Sequence, residues 1–80
     1  MSTEHAMAAC LWDLRAQVES TLRRVTRVQQ MLEEYKRATR PDTRARRRAQ
    51  IIEHVKDAVA VTKEVRVAAQ DVLSVAKELT

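Results

Sequence analysis

Two apolar tracks, each stepping by three and four residues, run along this chain on either side of Pro41. The first comprises Leu11, Leu14, Val18, Thr21, Val25, Val28, Leu32 and Tyr35; the second comprises Ile51, Val55, Ala58, Thr62, Val65, Ala69, Val72 and Ala76. Such spacing marks the seam of a coiled-coil helix. Folding the chain back at Pro41 pairs Leu11 with Val72, Leu14 with Ala69, Val18 with Val65, Thr21 with Thr62, Val25 with Ala58, Val28 with Val55, and Leu32 with Ile51. The two threonines then share a layer, and small residues of the second track (Ala58, Ala69, Ala76) face larger ones of the first. The pattern predicts an all-α fold, an antiparallel coiled-coil-like hairpin forming one domain over residues 1–80. Its helices cover about 4–38 and about 43–79, with a turn over about 39–42. One continuous helix kinked at Pro41 is the alternative, and it needs a second chain for the tracks to meet.

Local signals agree with the hairpin. Ser2 or Thr3 can cap the first helix, because either hydroxyl can accept a first-turn amide. The residue before a proline is pushed out of the α region, so Arg40 marks the break, and Pro41 suits the first turn of the second helix. Thr39 or Asp42 is the expected cap there. Chemistry that would direct the chain elsewhere is scarce: glycine and phenylalanine are absent and proline occurs once. Strands and hairpin turns have little to build on.

The helices differ in how much surface they need to hide. In the first, Leu22, Met31 and Trp12 are the main apolar residues off the seam. The second carries Ile52, Val59 and Leu73 on one flank and His54, Val61, Ala68 and Val75 on the other. One neighbouring helix cannot cover that width; a face this broad is expected in a four-helix bundle. Trp12, Leu22, Ile52, Val59, Val61, Ala68, Leu73 and Val75 are therefore the candidate partner-binding residues, with Trp12 the leading candidate hot spot. The hairpin is expected to complete a bundle with itself, as a dimer or tetramer, or with helices of a larger complex.

Charge adds a polarity along the rod. The chain has 15 basic and 11 acidic residues and a formal charge of +4. Ten of the basic residues and three of the acidic ones lie between Arg23 and Arg48, a balance of +7, which leaves −3 for the remainder. The apex of a hairpin would be strongly basic and its open end weakly acidic. Arg40, Arg44, Arg46, Arg47 and Arg48 form the candidate anion site. Arginines can neutralise phosphates without reading sequence, and a nucleic-acid-binding hairpin dimer is the first alternative function. In outline alone such a dimer resembles the small RNA-binding bundles encoded by plasmids, with which this chain shares no motif. No aromatic residue stands among the arginines to stack bases. A solvated apex, a nuclear address or a contact with anionic lipid would use the same residues. Since Arg44 and Arg48 interrupt the apolar track, the tip of the second helix is expected either to fray or to turn its arginines towards something, and Tyr35 is placed opposite Arg48 for a cation–π contact.

Individual residues offer no catalytic set. Cys10 is the sole cysteine, which excludes an intrachain disulfide, and beside Met7, Leu11 and Leu14 it reads as a small apolar filler. His5 and His54 do not form a zinc spacing with it. No paired carboxylates, Ser/His/Asp set or glycine loop is apparent. Glu19 with Arg23 and Glu33 with Arg37 read as helix-surface pairs. The chain is expected to be a non-enzymatic interaction module: a structural, scaffolding or adaptor subunit without cofactor, metal, small-molecule substrate or membrane span. A small chaperone-like hairpin shielding a partner helix is the second alternative. The expected location is intracellular, cytoplasmic or nuclear.

Overall fold

The computed structural model describes residues 2–79, which form two helices: α1, Thr3–Arg37, and α2, Pro41–Ala76. They pack antiparallel into a rod of 61 × 15 × 14 Å. The serine hydroxyl at position 2 caps α1, accepting the His5 amide at 3.1 Å. Glu4 in the first turn and Lys36 and Arg37 in the last turn complement the helix dipole. Ala38 leaves the helix with φ −73° and ψ 129°, while its amide still donates to the carbonyls of Glu34 and Tyr35 at 3.2 Å each. Arg40 is extended as well, at φ −80° and ψ 132°, as a residue before proline should be. It occupies the N-cap of α2 without a side-chain cap bond, so neither Thr39 nor Asp42 plays the expected capping role. Three residues thus reverse the chain, and the reversal needs no positive φ among the described residues. At the far end α2 stops at Ala76, and the amides of Glu78 and Leu79 turn back onto Val75 and Ala76.

The hairpin is the predicted one, but its seam is not. Half the predicted members keep their place: Leu14, Thr21, Val28 and Tyr35 on α1, and Ile51, Ala58, Val65 and Val72 on α2. The alternate layers turn by one residue. Cys10, Gln17 and Met31 face inwards where Leu11, Val18 and Leu32 were expected, and Val61 and Ala68 replace Thr62 and Ala69, while Val75 joins Ala76, which is half-buried as well. Met31 and Ala68 are the only buried side chains among the described residues, at 6% and 4% exposure. Leu11, Val18, Val25, Leu32 and Val55 stand in solvent. The register is anchored at the apex, where the Arg44 guanidinium donates to the Ala38 carbonyl at 2.9 Å and Arg47 pairs with Glu34 at 3.1 Å. Carried along both helices by the seven-residue repeat, it sets Met31 level with Ile51, Thr21 with Val61, Leu14 with Ala68 and Cys10 with Val72.

Small residues permit this choice. Ala68, Ala58, Cys10 and Thr21 let the backbones approach, at the cost of admitting Gln17 and leaving larger aliphatics outside. Thr21 and Thr62 still border one groove, yet each hydroxyl bonds backward to its own helix, to Gln17 O at 2.9 Å and Val59 O at 2.6 Å. Arg24 likewise lies back on the Ser20 carbonyl and hydroxyl. The hairpin therefore leaves many of its large aliphatic side chains exposed.

Candidate interaction surfaces

Turning the seam divides the rod into two unlike faces. On one, Val18, Thr21, Leu22 and Val25 of α1 and Thr62 and Val65 of α2 line a groove of about 290 Å³. Steps of seven residues keep a helical residue on the same face, so Leu11 and Leu32 extend this groove along α1. Ile52, Val55, Val59, Ala69 and Leu73 extend it along α2. Nine large aliphatics that are exposed in the hairpin share this side: Leu11, Val18, Leu22, Val25, Leu32, Ile52, Val55, Val59 and Leu73. The opposite groove is lined by Asp13, Gln17, Lys63, Glu64, Val67, Ala68 and Asp71, five of which carry charged or amide side chains. One face is suited to exclude water and the other to meet it.

The candidate partner-binding residues fall into two groups. Leu22, Ile52, Val59 and Leu73 lie on the apolar face, and Trp12, 73% exposed, lies on the outer side of α1. The Arg15 guanidinium sits 5.9 Å from the centre of the Trp12 ring and also binds Glu19 at 3.0 Å. By contrast Val61, Ala68 and Val75 belong to the seam, where α1 already covers them. Sequence reasoning missed Leu11, Val18, Val25, Leu32 and Val55 as surface residues because it spent them on the seam. A signal for the alternative existed in the unbroken run Val61, Ala68, Val75, which is a seam track in its own right.

At the apex α2 is helical from Pro41, and Arg44 and Arg47 turn inwards while Arg48 stays exposed. Arg44 packs over Tyr35 with its guanidinium carbon 4.3 Å from the ring centre, and it reaches the carbonyls of Ala38 and, at 3.5 Å, Tyr35. The cation–π partner of Tyr35 is thus Arg44, one turn before the expected Arg48, because the register places the start of α2 beside the end of α1. Arg44 satisfies the Ala38 carbonyl, which the end of α1 would otherwise leave open. Arg47 binds Glu34, while its Nε is shielded without a partner in the structure. Arg40 lies 3.7 Å from Asp42, and Arg46 and Arg48 are exposed. Of the five candidate anion-binding arginines, Arg44 and Arg47 hold the two helices together.

Both partners of the Arg47–Glu34 pair are more than a third exposed, so screening keeps the interaction modest. A double-mutant cycle with Glu34→Gln and Arg47→Gln, read by urea unfolding, is expected to give a coupling of about 0.2–1 kcal/mol that shrinks in molar salt. A coupling that ignores salt would show that the residues act through packing. The surface pairs elsewhere differ from those expected: Glu19 binds Arg15 rather than Arg23, and Glu33 binds Lys36 at 3.3 Å rather than Arg37.

Cys10 is a half-buried seam residue. His54, exposed at a seam layer, bonds through Nδ1 to the Gln50 carbonyl at 2.9 Å. Among the described residues, no three His, Cys, Asp or Glu side chains gather as a metal site, and no helix is long and apolar enough to cross a membrane. No family model, characterised protein or solved structure matches this chain.

Proposed function

We propose that this chain is a non-enzymatic protein–protein interaction module, a structural or adaptor subunit whose hairpin becomes two helices of a larger bundle. The observation that carries the reading is the apolar face: nine large aliphatics left exposed on one side of a rod whose own seam already spends Leu14, Val28, Met31 and Ile51. Soluble monomers rarely expose so continuous an apolar patch. Burying a large aliphatic side chain completely contributes roughly 1.5–3 kcal/mol, and about half of that remains available from a half-exposed one. Nine such residues amount to on the order of 10 kcal/mol, comparable with the roughly 4–15 kcal/mol that association costs in lost freedom. The face therefore suits assembly with other helices. The basic apex has a structural use through Arg44 and Arg47, which leaves Arg40, Arg46 and Arg48 outermost.

The test is the size of the species that contains this chain in extracts of its native cells. The chain is expected to migrate well above its own mass, and Val25→Glu with Val59→Glu to return it to monomer size while preserving helical content. Migration at monomer size without substitution, or a size unaffected by both substitutions, would overturn the proposal.

A further inference from the structure

Resting on that reading, we infer that the occupant of the apolar face is a second copy of this chain, related by a two-fold axis that crosses the rod near Leu22 and sets each basic apex beside its partner's open end.

On α1 the order of residues along the face is self-complementary. On α1, Leu11 and Leu32 are equidistant from the point between Thr21 and Leu22, and so are Val18 and Val25. On α2, Ile52 and Ala69, and likewise Val59 and Thr62, are equidistant from the point between Ala60 and Val61. Because the register sets Thr21 level with Val61, both midpoints lie at one height along the rod. A single perpendicular two-fold there exchanges leucine with leucine and valine with valine on α1, and on α2 sets isoleucine against alanine and Val55 against Arg66, so the apolar match lies on α1. An isologous interface needs such a surface, in which each residue meets the counterpart of its own partner. A heterologous partner places no demand of this kind on the sequence.

Charge selects the same arrangement. The segment from Arg23 to Arg48 carries +7 and the remainder −3. Side-by-side pairing with the apices together would superpose the two +7 halves. Reversing one copy brings the apex near Glu4 and Glu78 at the partner's open end, within the roughly 8–10 Å over which exposed charges interact at physiological salt.

Area is the third argument. A compact monomer of 9.2 kDa exposes about 4,900 Å² by the usual scaling of folded surface with mass. This rod exposes 6370 Å², an excess of roughly 1,400 Å², and a stable protein pair commonly buries about 800 Å² or more on each side. A second rod laid along the face removes surface of this order.

Two measurements on the purified full chain test the inference. Light scattering across a concentration series is expected to give twice the 9.2 kDa chain mass, and Leu22→Glu, near the axis, to shift the dissociation constant upward by at least tenfold. Spin labels on Ser74→Cys in a Cys10→Ala background then report orientation by pulsed dipolar spectroscopy. Ser74 lies about 13 residues from the axis, so reversed copies hold the labels about 40 Å apart at 1.5 Å per residue, whereas parallel copies bring them within about 25 Å. A dimer with the short distance overturns the two-fold. A monomer across the series, folded or not, overturns the second copy as occupant. It leaves the interaction module standing if the chain in native extracts still migrates as a larger species, and both fail together if it does not.

Discussion

Replacing Met31 by alanine is expected to lower the unfolding free energy of the hairpin by about 2–5 kcal/mol, the cost of truncating a buried methionine and leaving a cavity. Met31 is 6% exposed and is the largest side chain that the two helices bury between them among the described residues. Chains of this size rarely hold more than about 3–5 kcal/mol in reserve, so a loss on that scale removes most of the helical signal at ambient temperature. Met31→Leu keeps the volume and should cost less than about 1.5 kcal/mol. The neighbour supplies the control. Leu32 is 42% exposed in the hairpin, and Leu32→Ala should cost about 1 kcal/mol, well below Met31→Ala, in a chain diluted until its mass is that of one copy. Thermal and urea unfolding followed by circular dichroism distinguish the two. If Leu32→Ala proves the more damaging under those conditions, the seam runs where the apolar periodicity first placed it, and the turned register is wrong.

Arg44→Ala is expected to cost about 1.5–3 kcal/mol, the range for a hydrogen bond to a charged group, with the aromatic contact adding within it. The guanidinium binds the Ala38 carbonyl at 2.9 Å and stacks 4.3 Å from the Tyr35 ring. Its removal strips the end of α1 of a cap and α2 of its first tie to α1. Lysine restores the charge without the planar fork, so Arg44→Lys should recover only part of the loss. Amide hydrogen exchange should quicken first in the last turn of α1 and the first turn of α2, while the amides around Leu14 and Ala68 keep their protection. A neutral Arg44→Ala would mean that the apex contacts carry no stability and that the guanidinium is available to an anion, the alternative that the arginine cluster raises.

How much was legible differs from one part of the molecule to the next. The two helices, the break at Arg40 and Pro41, and the capping by Ser2 follow from local chemistry: hydroxyl caps, the restriction before proline and the absence of glycine all act within a few residues. The excess width of α2 was legible too, since Ile52, Val59, Val61, Ala68, Leu73 and Val75 cannot all touch one helix. The division of that width was not. Leu11, Val18, Val25 and Leu32 form a more apolar track than Cys10, Gln17, Arg24 and Met31, so hydrophobic periodicity assigns the former to the seam. Periodicity identifies which residues avoid water and is silent on which neighbour covers them.

The amino-acid sequence by itself thus determined an antiparallel pair of long helices, a basic apex and a surplus of apolar surface, because each depends on local propensity or on composition. Only the tertiary structure decided which apolar set is spent inside the hairpin. That decision rests on contacts between residues distant along the chain, Arg44 with Tyr35 and Ala38, Arg47 with Glu34, and Ala68 against α1, which fix the rotation of each helix about its own axis. A turn of one residue moves Val61 and Val75 inwards and Leu32 and Val25 outwards, and so determines the face that the molecule offers to others.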